Sequence, residues 1–222
     1  MKNYKIHLLR HGRTSANEQA KFVGRTDLSL SDSGCAELKE MCEKYEYPGA
    51  QRVYSSPLMR CMQTAEILYP SLELCTVDDL AEYDFGPYEN KGAGELTKDA
   101  SFMAWLKSGI PAEGMEDARL FEQRITRGFE FVLKDMMNRG ISESVLIAHG
   151  GVIMTLLAAH GLPKREPHLW MTGNGCGFTV TTSAMLWAQG QVMEVFDPLP
   201  YGIVDREPSK VYNVIDLNDE ND

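Results

Sequence analysis

The chain has 222 residues, of which 43% are hydrophobic and 24% charged, and a formal net charge of −10. That length builds one large α/β domain or two small ones, and the composition is that of an ordinary globular protein. The acidic excess argues against nucleic acid, membrane surfaces or any large polyanion as partners, and no apolar run approaches the ~20 residues that cross a bilayer. The five cysteines form no CxxC pair and have no histidines at zinc spacing. They read as free thiols of a reducing compartment, and with no signal-peptide pattern ahead of the first strand the sequence is read as cytoplasmic.

The predicted elements alternate. Tyr4 to Leu9 reads as a strand. Asp32 to Tyr45 reads as a helix with Ser31 at its N-cap and Leu38, Met41 and Cys42 on one face. Arg52 to Ser55 is a short strand, and Pro57 to Tyr69 a helix opened by proline. Leu72 to Val77 is a third strand. Glu116 to Arg139 is the longest helix, with Leu120, Ile125, Phe129, Val132, Met136 and Met137 spaced for burial. Val145 to Ala148 is an apolar strand followed by a helix from Gly151 to His160. Phe178 to Trp187 and Val192 to Phe196 read as two strands joined near Gln189-Gly190. The alternation predicts an α/β three-layer sandwich, a mostly parallel central sheet with helices on both faces. One domain is expected over residues 1–200, with an excursion at about 82–115 that is rich in Gly, Glu and Lys. An acidic C-terminal extension follows over 201–222.

Parallel sheets bind ligands at the carboxyl ends of their strands. Arg10-His11, Ser55-Ser56-Pro57 and His149-Gly150 each lie just past the end of a predicted strand, so three distant segments meet at one edge. Arg10 and His11 together suit an attack on phosphate, since a guanidinium forks two oxygens and an imidazole can be the nucleophile. Arg60 projects from the first turn of a helix, where anions are already favoured. His149, charged, would neutralise phosphate, and Gly150 and Gly151 let backbone N–H groups approach an oxyanion. A leaving group needs an acid of raised pKa. Glu82 stands among Leu80, Tyr83 and Phe85, but Asp79, Asp84 and Glu89 are rivals that spacing does not separate. A metal site built on His7 and His11 finds no third ligand nearby, so no metal and no cofactor is expected.

Five ordered segments resemble the histidine phosphatase superfamily, the phosphoglycerate mutase-like proteins, over about residues 4–200. They are Arg10-His11-Gly12-x-Thr14-x-x-Asn17, the run Gly24 to Gly34, Ser55-Ser56-Pro57-x-x-Arg60 with Thr64-Ala65, Leu80-x-Glu82-x-x-Phe85-Gly86-x-x-Glu89, and His149-Gly150-Gly151. The resemblance implies a phosphoglycerate mutase-like fold, His11 as the nucleophile that becomes a phosphohistidine, and Glu82 as proton donor and then base. It implies that Arg10, Arg60 and His149 bind the phosphoryl oxygens with help from Asn17. Arg13 and Asn90 depart from the residues common at those places in the family, Glu or Gln and Gly respectively.

The expected function is a phosphomonoesterase acting on small phosphorylated metabolites. The alternatives are a cofactor-dependent phosphoglycerate mutase, an α-ribazole phosphatase as a specific substrate assignment, and a non-catalytic phospho-ligand module. A mutase must exclude water and clamp a carboxylate, and usually carries longer insertions and a Trp-rich second segment. A non-catalytic module would be expected to lose the nucleophile or the acid. Trp105, Tyr88 and Phe102, in the excursion, either line an apolar or base-stacking pocket or pack beneath a lid. No oligomeric state is assigned.

Overall fold

A computed structural model describes residues 2–203; the acidic tail lies outside the described residues. In chain order the elements are β1 (Asn3–Arg10), α1 (Ser15–Glu18), α2 (Asp32–Lys44), β2 (Val53–Ser55), α3 (Met59–Leu68), β3 (Leu74–Thr76), α4 (Ala93–Leu96), α5 (Ala100–Ser108), α6 (Ala118–Arg139), β4 (Glu143–Ala148), α7 (Gly150–His160), β5 (Gly161–Leu162), β6 (Gly177–Ser183), α8 (Ala184–Gly190) and β7 (Met193–Leu199). The seven strands form one sheet in the order β3-β2-β4-β1-β6-β7-β5. Its pairings are parallel except those of β6 with β1 and β7. This is the mostly parallel α/β sandwich that the alternation predicts.

The period-two alternation of the strands separates two cores. Ile6 and Leu8 of β1, with Leu146 and Ala148 of β4, meet Ile125, Phe129 and Val132 of α6 and Val152, Ile153 and Leu156 of α7. Leu9, Val145 and Ile147 point the other way and meet Cys61 and Ala65 of α3. Because β4 is covered on both faces, all of Val145 to Ala148 is apolar and fully buried. Among the described residues no helix is long and apolar enough to cross a membrane.

The register of this sheet sets the site. Arg10 pairs with Ala148 across β1 and β4, and Ser55 pairs with Ile147 across β2 and β4. One residue further along each strand, His11, His149 and Ser56 stand side by side. The helix ends follow from local chemistry. Asp117 accepts from the N–H groups of Arg119 and Leu120, so α6 starts at Ala118 rather than the predicted Glu116, whose carboxylate is taken by Arg124. The helix predicted from Pro57 starts at Met59, whose N–H donates to Asp27 Oδ1 at 2.7 Å. Arg60 is therefore the second helical residue.

One predicted strand is corrected. Phe178 to Trp187 is strand only as far as Ser183, whose hydroxyl accepts from Leu186 N and caps α8. The apolar run Ala184 to Trp187 reads equally well as strand or buried helix by hydrophobicity alone, and the serine cap decides it. At the other end of β6, Gly177 is required by close approach, since a Cβ there would overlap the carbonyl oxygen of Leu8 on β1. Gly177→Ala is expected to cost roughly 2 kcal/mol or more by forcing the two strands apart. A urea titration with an unshifted midpoint would show that the β1–β6 contact has room to spare.

Candidate active site

His11 leaves the end of β1 with its own N–H donating to Ala148 O at 3.0 Å. Its ring is 5% exposed, and Nδ1 lies 2.6 Å from the carbonyl oxygen of Gly12. A carbonyl only accepts, so Nδ1 carries the proton and Nε2 keeps its lone pair in the neutral ring. Burial, then the charges of Arg60 and Arg10, hold the His11 pKa well below the ordinary 6.5. The imidazole is neutral and its unprotonated nitrogen is nucleophilic. The Gly12 turn behind it is fixed by its N–H donating to Thr64 Oγ1 at 2.9 Å.

The two arginines are tied at part of their donor set. Arg10 Nη1 donates to Thr172 O at 2.8 Å. Arg60 donates from Nη1 to Thr26 O at 2.9 Å and from Nη2 to Gly24 O at 2.7 Å. His149 N-caps α7 and is fully buried, its ring centroid 5.2 Å from that of His11. Its Nε2 lies 2.7 Å from Ser56 Oγ. Burial, Arg60, His11 and Arg10 lower its pKa well below 6.5. The imidazolium expected from the sequence is therefore disfavoured here, first because the ring is buried and then because two guanidinium groups already occupy the cage.

Glu82 and its rivals stand in different environments. Its carboxylate accepts from Tyr83 N and Gly151 N, each at 2.9 Å, and burial raises its pKa above 4.5 against the pull of those bonds and of Arg60 and Arg10. Glu89 instead accepts from the backbone of Gly24, Arg25, Thr26 and Phe85 and pins the 24–26 loop. Asp84 accepts from Gly86 N and Asp79 pairs with Arg127. The acid loop has its own clamp. Buried Arg124 donates to the carbonyls of Asp79, Ala81 and Glu82 and to both oxygens of Glu116.

Arg10, His11, Asn17, Arg60, Glu82 and Gly150 line one pocket. His149 stands behind it against His11. Asn17 is held by a capping box, accepting from Thr14 N at 3.1 Å while Thr14 Oγ1 accepts from Asn17 N. That box accounts for the Thr-x-x-Asn spacing. The pocket also takes in Thr14, Lys21, Phe22 and Phe85. Sequence reasoning assigned no site role to Lys21, Phe22, Ser56 or Arg124. The Ser55-Ser56-Pro57 strand end was a signal for Ser56, whereas isolated Lys21 and Arg124 carry none. The two residues that depart from the family pattern lie outside the pocket. Arg13 pairs with Glu37 at 3.4 Å, and Asn90 has φ +63°, a left-handed backbone that asparagine tolerates. Among the described residues no cluster of three or more His, Cys, Asp or Glu is placed to hold a metal ion.

Comparison with known proteins agrees with the geometry. Residues 6–188 match the family described as Histidine phosphatase superfamily (branch 1), and the chain belongs to it. It is 30% identical over 186 residues to a Bacillus subtilis protein named as the uncharacterised phosphatase PhoE, covering 82% of this chain and 90% of that one. It is also 30% identical over 181 residues to the 2,3-bisphosphoglycerate-dependent phosphoglycerate mutase of Corynebacterium diphtheriae, covering 71% and 72%. Among solved structures, the fold superposes on the α-ribazole phosphatase of Shigella flexneri with a TM-score of 0.72 at 20% identity, over 91% of this chain and all of that one. It superposes equally on the mycobacterial glucosyl-3-phosphoglycerate phosphatase, TM-score 0.72 at 21% identity, over 87% and 97%.

Gly151 offers a clean test of the Glu82 geometry. A Cβ at this position would meet Glu82 Oε1 at 2.5 Å, while alanine inside α7 is favoured over glycine by about 1 kcal/mol. Gly151→Ala is expected to keep or raise the urea midpoint and to lower phosphate-ester hydrolysis about 10²-fold through the displaced carboxylate. Wild-type rates in a folded variant would show that the carboxylate position is not critical.

Proposed function

We propose that this chain, as a histidine phosphatase superfamily protein, is a phosphomonoesterase that hydrolyses small phosphorylated metabolites through a phosphohistidine at His11. The observation that carries this reading is the bond from His11 Nδ1 to Gly12 O, which leaves Nε2 as the lone-pair nitrogen of a neutral ring in a pocket walled by two arginines. Nε2 attacks phosphorus, and the bond to the ester oxygen breaks as that oxygen takes the proton of Glu82. Arg10, Arg60, His149, Asn17 and the Gly150 N–H hold the three equatorial oxygens as charge spreads over them. Glu82, now a carboxylate, takes a proton from water. The resulting hydroxide attacks the phosphohistidine, and free phosphate and His11 are regenerated. The positive charge comes from side chains, so the reading needs no metal. All five cysteines remain thiols, which fits a cytoplasmic enzyme.

The second reading is the phosphoglycerate mutase, favoured by the Corynebacterium relative. In a mutase the phosphohistidine returns its group to a second hydroxyl, so 3-phosphoglycerate isomerisation without net phosphate release would select it.

His11→Ala is expected to lower turnover of p-nitrophenyl phosphate by at least ~10⁴-fold. Wild-type enzyme quenched in mid-reaction should yield an acid-labile, alkali-stable phosphoenzyme, and EDTA should leave the rate unchanged. Retained turnover in His11→Ala would remove His11 as nucleophile.

The pH dependence follows from the two opposed shifts. The His11 pKa is lowered, so the attacking neutral ring persists well below pH 6.5. The Glu82 pKa is raised, so the acid form lasts above the ordinary carboxylate range and is lost as pH rises through it. The rate on an alkyl phosphate should therefore peak on the acid side of neutrality. Glu82→Gln should lower that rate by about 10²- to 10⁴-fold and remove the enzyme's part of the alkaline decline. An identical alkaline limb in Glu82→Gln would assign the decline to another group.

A further inference from the structure

A second concavity adjoins the phosphate pocket. Phe22 and Phe85 line both, and Gly151, whose N–H holds Glu82, lines the second. Glu82 thus stands at the junction. In the proposed reaction its proton goes to the ester oxygen, so the alcohol that departs with that proton lies on the Glu82 side of the phosphorus, towards this groove.

The groove wall is aromatic and thioether. Tyr83 stacks on Trp105 with ring centroids 5.9 Å apart and planes at 25°, and meets Phe121 edge-on at 5.2 Å. Leu106, Met154 and Met171 complete the apolar surface. Trp105 and Met154 pack against the core but, like Met171, are only partly buried and leave surface open to a ligand. Among the described lining residues there is no Lys or Arg, and the acidic one besides the catalytic wall is exposed Glu122. Tyr83 stays a neutral phenol, its pKa pushed up by burial to about 12. Lys21 lines the phosphate end and not the groove.

We propose that this groove binds the leaving group, and that the preferred substrates are phosphate monoesters of neutral alcohols bearing an aromatic ring. The inference rests on the phosphomonoesterase reading of the adjoining site. A ring in the groove removes apolar surface from water and meets the offset and edge geometries that aromatic side chains favour. A leaving group carrying a carboxylate finds no Lys or Arg in the groove; its one basic lining residue is exposed His168 at the rim, and Glu122 faces the same space. That sets the site against phosphorylated hydroxy acids.

The test compares kcat/KM for 2-phenylethyl phosphate, ethyl phosphate and 3-phosphoglycerate, all alkyl esters whose leaving oxygens are alcohols. The 2-phenylethyl ester should exceed ethyl phosphate by about 30-fold, the worth of one buried phenyl ring, chiefly through KM. 3-Phosphoglycerate should be no better than ethyl phosphate. Trp105→Ala should lower the 2-phenylethyl to ethyl ratio by about tenfold. The exposed Glu122→Lys, which does not touch the core, should raise the 3-phosphoglycerate to ethyl ratio at least about threefold at low salt and less at high salt. Comparable rates on the 2-phenylethyl and ethyl esters, or a preference for 3-phosphoglycerate, would overturn the groove assignment and leave the phosphatase reading standing. No phosphate release from any of the three or from p-nitrophenyl phosphate would bring down both.

Discussion

Two guanidinium groups are withdrawn from water at one edge of the sheet, and their burial decides what every neighbour can be. Arg10 is 5% exposed and Arg60 1%. Backbone carbonyls of Thr172, Gly24 and Thr26 satisfy part of their donor sets but carry no full negative charge. Burying a guanidinium is costly, and the groups packed around it must offset that cost. Burial of the rings first, and the arginine charges second, favour the neutral form of both imidazoles, the form the proposed attack by His11 requires. Glu82 lies close enough to feel both arginines, yet desolvation outweighs their attraction and keeps its carboxyl towards the acid form. A fully ionised glutamate there would compete with phosphate for the arginines. A protonated one leaves them to the ligand and has a proton to give.

The sheet makes this arrangement rigid. Parallel neighbours end at the same edge, and a fixed register turns residues far apart in sequence into contacts. Arg10 opposite Ala148 brings His11 beside His149, and Ser55 opposite Ile147 brings Ser56 to the ring of His149. A slip of one residue in either pairing would turn the imidazoles away from each other. The apolar residues of β4, packed on both faces, make such a slip expensive. The core therefore positions the chemistry as well as stabilising the domain. The acid is held differently, on a loop. Its position comes from Arg124, which gathers the carbonyls of Asp79, Ala81 and Glu82, and from Gly151, which has no side chain to keep the carboxylate away.

What the sequence showed and what it hid divide along the same line. Strand ends are legible because an apolar run that stops at Arg-His or His-Gly has a period and a terminus, and the parallel alternation says where those termini gather. Arg10, His11 and His149 were readable in that way. Glu82 was not, because Asp79, Asp84 and Glu89 have the same chemistry, and the backbone groups that occupy Glu89 and Asp84 come from the tertiary fold. Arg124 sits in the middle of a long helix, where an arginine looks like any surface charge; three loop carbonyls reach it only after folding. Trp105, Tyr88 and Phe102 could not be sorted by composition either. Phe102 is fully buried and Tyr88 is 4% exposed, both in the core, while Trp105 faces the groove. Ala184 to Trp187 misled because four apolar residues fit a strand as well as a helix, and the deciding serine cap is one hydroxyl.

The two halves of the site are built from different material. The phosphate end is made of strand termini and helix starts, and its properties are set by charge in a dry cage. The groove beside it is made of Tyr83 and Phe85 on the acid loop, Trp105 and Leu106 on α5, and residues of α6 and α7. Leu96 of α4 and Phe102 of α5 anchor these helices in the core, while Trp105 and Leu106 are only partly buried, so substitutions at those two would alter the groove first. Proteins named as phosphatase and as mutase are both similar to this chain, and a groove that varies beside a constant cage would accommodate that. The proposed reaction demands a positive, desolvated cage around a neutral imidazole. On the proposed reading the alcohol is selected in the adjoining groove, by packing and by which charged groups line it.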